Sequence, residues 1–433
     1  MNRFVALAAS TWFLACVGCS DFRDPGLEKS PEVTAANSHR ILVMLKESPL
    51  RHYRPGFGLF SEYGSTPAAS RDMELARQLA QTYGFVLISD WPMPSLGVRC
   101  FLGEIRSDAD PDNVVAHIAS DARVESAQPV RQFHAMGRND PLTGLQPSPE
   151  SLRLDQLHRM ATGKKVRIAQ IDTGVDVGHP GFKGRALEAV NFVDRSDYAA
   201  ESHGTAVAGI IVAKAPRQVG AVGVAPDATL FALRACWQTS AESGWAVCDS
   251  FTLAKAIQYA ILRHANVLNL SLAGPPDRIL ERLIDRALEN GIVVIGAIDP
   301  GSPSNSFPAR HKGVLAVAAS NVQSSPTVAI YAPGDHVLTT IPDGGWGFVS
   351  GSSFAAARVS AITALLLEAD PKLKPGDIHA MLYEQMASDA GVSGDPVLND
   401  CILLAKVWHK PNCPCCGVVT DRPIGHDVGK RSS

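Results

Sequence analysis

The sequence predicts an α/β protein with a doubly wound, mostly parallel sheet, preceded by a small α+β domain of the ferredoxin-like type. Over residues 154–407, short apolar segments alternate with segments of helical periodicity. The apolar segments are continuous, which is typical of strands buried on both faces of a parallel sheet. Over residues 40–134, strand and helix patterns follow one another as β-α-β-β-α-β, the order of a ferredoxin-like fold.

Length and composition exclude some classes of protein. A chain of 433 residues favours two or three domains. The 40 basic and 43 acidic residues leave a net charge of -3, which gives no basic field for nucleic acid, so we expect no nucleic-acid partner. With 45% hydrophobic and 19% charged residues, wholesale disorder is excluded.

The N-terminus has the pattern of an export signal. Asn2 and Arg3 precede an apolar run at 4–17, which is too short to span a bilayer comfortably. Gly18 and Cys19 follow this run and resemble a bacterial lipoprotein signal at 1–19, which implies lipidation of Cys19. A plain secretory peptide cut nearby is the alternative. We therefore expect either a periplasmic or outer-membrane lipoprotein, bound to the membrane only by its lipid, or a protein secreted after processing.

The small domain is predicted at 40–134, after a polar linker at 20–39. Its first helix has Ser70 as cap and Gly84 as stop signal. The predicted strands cover 40–46, 85–90, 97–105 and 123–130, and the predicted helices cover 70–84 and 110–120.

The main domain is predicted at 154–407, after a linker at 135–153 that is rich in Pro, Gly, Asp and Asn. A polar, cysteine-containing tail follows at 408–433. The predicted strands of the main domain cover 166–172, 229–236, 267–272, 291–298 and 314–320, and two helices are predicted at 250–264 and 277–290.

Three motifs of the main domain carry residues suited to catalysis. Asp172 lies in IDTGVD, His203 in SHGTAVAGIIVA and Ser353 in SGSSFAAARVSA. Each alone has an ordinary structural interpretation, because a strand-end Asp forms turns and a Ser before a helix caps it. The DTG triplet also occurs in aspartic proteases, which need a second such triplet and a β fold.

Together the motifs resemble the subtilisin-like serine proteases (subtilases) over residues 154–387. GVAPDATLFALRA, VLNLSLAG, SFPARHKGVLAVAAS and IYAPGDHV match the family in order. The resemblance implies the subtilisin-like fold and peptide-bond hydrolysis with Ser353 as nucleophile, His203 as general base and Asp172 as the group that orients the imidazole. Imidazole suits this role because it can take and return a proton near neutral pH.

The resemblance also extends upstream, since 40–134 is similar to the family's propeptide. It implies a monomeric zymogen whose propeptide inhibits the enzyme intramolecularly and is cut off within the linker. Polypeptide substrates would pair as an added strand along four residues of VLNLSLAG. These substrate-binding candidates are Ser271, Leu272, Ala273 and Gly274.

Several positions depart from the family pattern. Asp299 stands where the family has an Asn that donates to the oxyanion, and Asn305 is a second candidate donor. An ionised Asp299 would repel an oxyanion, whereas a protonated one could donate a hydrogen bond. Phe354 replaces a Met. Gly181 replaces an Asp of the family's calcium site, so we expect no metal and no cofactor.

The cysteines predict a disulfide between Cys236 and Cys248 in an exported protein, with Cys100 left over. The four cysteines nearest the C-terminus form either two disulfides or a zinc or redox site. They are Cys401, Cys413, Cys415 and Cys416.

The main alternative to an active enzyme is a catalytically weak or inactive subtilase fold that acts as a surface binding module. Asp299 and the altered helix after Ser353 motivate this hypothesis.

Overall fold

A computed structural model of the chain describes most of both predicted domains. The predicted signal peptide at 1–19, the linker at 20–39 apart from His39, and the tail at 408–433 lie outside the described residues. The described residues are 39–46, 67–106, 108–135, 137–140, 149–193, 197–214, 220–239, 246–303, 306–320, 329–389, 398 and 400–407.

The small domain is a four-stranded antiparallel sheet with two helices. Its elements are β1 (Arg40–Lys46), α1 (Pro67–Tyr83), β2 (Phe85–Met93), β3 (Val98–Ile105), α2 (Pro111–Ala119) and β4 (Val124–Pro129). The strand order is β2-β3-β1-β4. This is the predicted β-α-β-β-α-β arrangement, and its boundaries differ from the predicted ones by only a few residues.

The two faces of this sheet are buried against different partners. Along β1, Ile41, Val43 and Leu45 pack in one cluster with α1 and α2. Leu42 and Met44 point to the opposite face, as alternate residues of a strand do, and share a cluster with the main domain. The small domain is therefore seated on the main domain through an apolar sheet face.

The described part of the chain between the two domains contains secondary structure within the predicted linker at 135–153. It contains β5 (Gln132–Ala135), β6 (Arg138–Asp140) and α3 (Pro149–His158). Strand β5 alternates polar and apolar residues over only four positions, and β6 is wholly polar, so neither sequence alone predicts a strand. They are extended because each pairs with strands of the main domain.

The main domain is built around a seven-stranded parallel sheet with the order β16-β15-β14-β12-β7-β9-β8. Its elements in chain order are β7 (Arg167–Asp172), β8 (Leu187–Asn191), α4 (Ser202–Val212), β9 (Thr229–Arg234), β10 (Cys236–Gln238), β11 (Ala246–Asp249), α5 (Ser250–Leu262), β12 (Val267–Leu270), β13 (Leu272–Ala273), α6 (Arg278–Glu289), β14 (Val293–Ala297), β15 (Leu315–Ala319), β16 (Ile330–Ala332), β17 (Val337–Ile341), β18 (Gly345–Ser350), α7 (Ser352–Ala369), α8 (Pro375–Asp389) and α9 (Asp400–Val407).

All of the strands predicted for the main domain belong to this sheet. The two sheet strands that the sequence did not predict, β8 and β16, lie at its edges. Strand β8 is only partly buried along its whole length, so it lacks the continuous apolar run that marks a central strand.

Helices cover both faces of the sheet. Residues of α4 and α7 form one apolar cluster with Ile168, Val267 and Ile295. Residues of α5 and α6 form another with Ile171 and Leu268. This is the doubly wound α/β fold that the sequence predicts.

Within the described part of the chain, α7 alone has the length and apolar composition of a membrane-crossing helix. It is the core helix of the main domain, and 83% of it is buried inside the protein.

Candidate active site

Several predicted site residues lie at one edge of the parallel sheet. Asp172 ends β7, Ser271 follows β12, and Asp299 comes shortly after β14. These three strands are neighbours in the order β14-β12-β7. Their carboxyl ends therefore meet at the edge where open α/β sheets bind ligands.

Asp172 and His203 are in direct contact. His203, the second residue of α4, places its Nδ1 at 2.7 Å from Asp172 Oδ1, and the side chains are 3% and 2% exposed. His203 Nε2 is buried with no hydrogen-bond partner among the described residues. Asp172 thus faces an imidazole, as the triad interpretation requires, and not the second aspartate of an aspartic protease.

The loops that carry these two residues are tied together by further bonds. The Gly204 N–H donates to Thr173 Oγ1 at 2.8 Å, and Gln170 Nε2 donates to the Gly204 carbonyl at 2.8 Å. The end of β7 and the start of α4 are therefore held in one register, which fixes the ring of His203 against Asp172.

A buried ion pair, which the sequence analysis missed, lies beside the Asp172–His203 pair. Arg234 Nε and Nη2 donate to the two carboxylate oxygens of Glu201 at 2.9 and 3.2 Å. The same carboxylate accepts the N–H groups of Gly174 at 2.8 Å and Gln238 at 2.9 Å. Glu201 precedes His203 by two residues and Gly174 follows Asp172 by two, so this network positions both loops. The sequence signal for this pair was Arg234, a charged residue at the end of the apolar strand β9.

Ser353 lies at the start of α7. Gly351, the N-cap, has φ of 147°, a conformation that favours glycine and lets the chain turn from β18 into the helix. Ser353 Oγ donates to the Ser271 carbonyl at 2.9 Å. The next residue, Phe354, has its ring centroid 5.4 Å from that of His203. The helix that begins with Ser353 therefore contacts the ring of His203 through Phe354.

The position of Ser353 is suited to stabilising negative charge, because the first N–H groups of a helix have no partner within it and the helix dipole favours an anion there. Asp299 is half-buried and engaged in its own loop. Its Oδ1 accepts the Gly301 N–H at 2.8 Å, and its own N–H donates to Ser306 Oγ at 2.9 Å. The alternative donor, Asn305, lies outside the described residues.

The predicted substrate-binding residues line a cleft that β5 fills. In β13, Leu272 pairs with Ala135 and Ala273 pairs with His134. On the other side, β11 pairs antiparallel with β5, a second edge that the sequence analysis missed. Gly274 leaves room for Phe133, whose ring would lie 2.2 Å from an added Cβ.

Polar contacts also join the small domain to the main domain. Gln128 Nε2 donates to Asp277 Oδ2 at 2.8 Å, and Arg282 pairs with Glu125 at 2.8 Å. They flank the apolar sheet face and fix where the small domain sits.

The disulfide between Cys236 and Cys248 is confirmed, and it links β10 to β11 at the cleft wall. Cys100 is a free, buried thiol, and burial raises its pKa to about 12, so it is poorly suited to react. Cys401 lies in α9, and the other tail cysteines fall outside the described residues. In the part of the chain that the structure describes, no group of three His, Cys, Asp or Glu residues is arranged to hold a metal.

Comparisons with known proteins identify the family of the main domain. The model of the subtilase family matches residues 163–398. A subtilisin-like protease of Coccidioides posadasii is 30% identical over 277 residues, covering 60% of this chain and 68% of that protein. Subtilisin E of Bacillus subtilis is 33% identical over 226 residues, covering 48% of this chain and 57% of that protein.

A solved structure shares the fold. Fervidolysin from Fervidobacterium pennivorans, a keratinolytic enzyme related to subtilisin, superposes with a TM-score of 0.66 at 20% identity. The match covers 86% of this chain and 61% of the fervidolysin chain.

Proposed function

The chain belongs to the subtilase family, and we propose that it is an exported serine endopeptidase, made as a zymogen that processes itself. The observation that carries the proposal is the buried 2.7 Å contact between His203 and Asp172, beside a cleft that takes an extended chain as an added strand. Its substrates are polypeptides, and the enzyme acts as a monomer without a cofactor.

In the proposed reaction, Ser353 Oγ attacks a peptide carbonyl carbon while His203 Nε2 takes the hydroxyl proton. The carbon–nitrogen bond then breaks, and His203 returns the proton to the leaving amine. Water enters, gives a proton to His203 and attacks the acyl carbon. The bond between that carbon and Ser353 Oγ then breaks, His203 returns the proton to Oγ, and the product leaves as a carboxylic acid that ionises. Asp172 holds the imidazole tautomer and stabilises the imidazolium at each step.

This mechanism also needs hydrogen-bond donors for the oxyanion. The Ser353 N–H at the start of α7 is one donor, and Asp299 would be the other only when protonated. The Asp299 carboxylate accepts the Gly301 N–H, and an accepting oxygen gives no hydrogen bond to an oxyanion. This contact favours the second candidate function, a weak or inactive binding module on the same fold. We therefore expect slow turnover.

The small domain would act as the inhibitor. Its seat on the main domain and the position of β5 between β11 and β13 support a propeptide that keeps other chains out of the cleft. The disulfide and the signal-like N-terminus support export. If Cys19 is lipidated, self-cleavage would separate the catalytic domain from its membrane anchor.

The deciding experiment compares intact masses of the exported chain and its Ser353→Ala variant at neutral and mildly acidic pH. Loss of the N-terminal segment from the wild type alone supports the endopeptidase, and labelling of Ser353 by a fluorophosphonate should accompany it. If both chains stay whole and unlabelled, the binding module is favoured. If both are cut alike, self-processing is ruled out.

A further inference from the structure

The chain itself occupies both halves of the cleft. On one side of Ser353, β5 lies between β11 and β13. On the other side, β6 pairs with β18 in the register Arg138 to Ser350, so it runs along the strand that leads into α7. Between these two paired stretches the chain has only Met136, which lies outside the described residues, and Gly137. The cleft thus holds extended chain on either side of the catalytic residues, and Gly137 is the described residue between the two paired stretches.

Gly137 lies beside the proposed general base. A Cβ built on Gly137 would be 3.2 Å from His203 Cδ2. The residue that supplies the leaving amine must lie next to this imidazole, because His203 returns the proton to that nitrogen. Gly137 therefore occupies the position immediately after the bond to be cleaved, and that bond joins Met136 to Gly137.

Phe354 closes the space that a side chain would need at this position. The same Cβ would lie 2.6 and 2.7 Å from two ring carbons of Phe354, closer than packed atoms tolerate. Phe354 belongs to the core cluster of α7, and with this segment in place it is 1% exposed, so packing on its other sides restricts movement of the ring. Glycine has no atom to place there.

We infer that Phe354 makes this cleft selective for glycine immediately after the cleaved bond, in the chain's own processing and in other substrates. The inference depends on the proposed endopeptidase activity and adds a specificity residue to it. One added methyl group in a packed site should lower kcat/KM by about 10- to 100-fold.

The test uses the processed enzyme and two peptides. The first is QFHAMGRND, the sequence of residues 132–140, and the second has alanine in place of its glycine. We expect cleavage of the first before glycine, with kcat/KM about 10- to 100-fold above that of the second. A matched control peptide with alanine at the position of Arg138 should be cut like the first, since that position already carries a Cβ. Phe354→Ala should remove most of the glycine preference.

The same contrast applies to the full chain. Gly137→Ala should slow processing, Arg138→Ala should leave it nearly unchanged, and Phe354→Ala added to Gly137→Ala should restore it. Phe354→Leu serves as a second variant if the alanine variant folds poorly, and fluorophosphonate labelling counts active sites in every sample.

The outcomes separate the inference from the proposed function. Equal cleavage of the glycine and alanine peptides by labelled enzyme, or a cut at another bond, overturns the selectivity. Absence of both labelling and cleavage overturns the proposed function, and the inference with it.

Discussion

Replacing Arg234 by methionine should destabilise the main domain strongly. The guanidinium makes a two-point contact with Glu201 at 2.9 and 3.2 Å, and the side chains are 5% and 9% exposed. The substitution leaves the Glu201 carboxylate buried with only the Gly174 and Gln238 N–H donors. Breaking a buried pair in this way costs about 3–5 kcal/mol, because an uncompensated charge stays in a medium that solvates it poorly.

The two remaining backbone donors place the expected loss near 3 kcal/mol, the lower end of that range. A domain of this size loses about 2–4 °C in Tm per kcal/mol, so we expect a fall of about 10 °C. Arg234→Lys keeps the charge and loses the two-point contact, so its loss should be smaller. The exposed pair of Arg286 and Glu289, at 3.2 Å with side chains 45% and 62% exposed, should contribute less than about 1 kcal/mol.

The assay is thermal unfolding in a Ser353→Ala background, which prevents self-digestion. Arg286→Met is the matched control, since it removes an arginine from an exposed pair instead of a buried one. In the active background, kcat should fall more than KM changes, because Glu201 fixes the loops of His203 and Asp172 and does not contact substrate. If Arg234→Met shifts Tm no further than Arg286→Met, the buried pair is not a positioning element and the reasoning is refuted.

Four other predictions follow from the site and its surroundings. Asp299→Asn should raise kcat at neutral pH by about tenfold or more, because an amide donates to an oxyanion that a carboxylate repels; an unchanged or lower kcat contradicts this. Replacing both Cys236 and Cys248 by alanine should cost about 2–4 kcal/mol in urea unfolding, and an unchanged midpoint would show that the crosslink adds nothing. Burial lowers the pKa of His158, so protonation opposes folding. Stability should hold above about pH 6.5 and fall below it, and His158→Gln should flatten that fall in a Tm–pH profile. EDTA should change neither Tm nor kcat/KM, because acyl transfer by a serine–histidine pair needs no metal; a drop in either would reveal a metal site.

The central strands could be predicted because burial on both faces of the sheet requires a continuous run of apolar residues. A strand such as β14 is buried at every position, and its residues, VVIGA, are all apolar or glycine. The segment QFHA in β5 alternates polar and apolar residues, but four residues are too few for such an alternation to predict a strand. It is extended because β11 and β13 supply hydrogen-bonding partners from far along the chain, which no local pattern can indicate.

The same distinction applies to the site. Asp172 and His203 were predictable as candidates because each lies in a motif of consecutive residues, and the structure then places them in contact. Arg234 lies within the motif GVAPDATLFALRA and Glu201 lies just before the motif of His203, but neither stretch indicates that the two residues pair. The members of this pair are separated by 33 residues and meet only when β9 and the loop before α4 are folded.

Selectivity for the residue after the cleaved bond, like the Glu201–Arg234 pair, cannot be predicted from a local motif, and the chemistry explains why. The triad must perform the same proton transfers on any peptide, so its residues can be identified without knowing the substrate. Selectivity depends on what touches the substrate, and here the contact joins Gly137 from the interdomain segment to Phe354 on the core helix. A change from Met to Phe at that position is conservative in hydrophobicity. The change matters because the extended chain in the cleft places Gly137, which has no side chain, against the Phe354 ring.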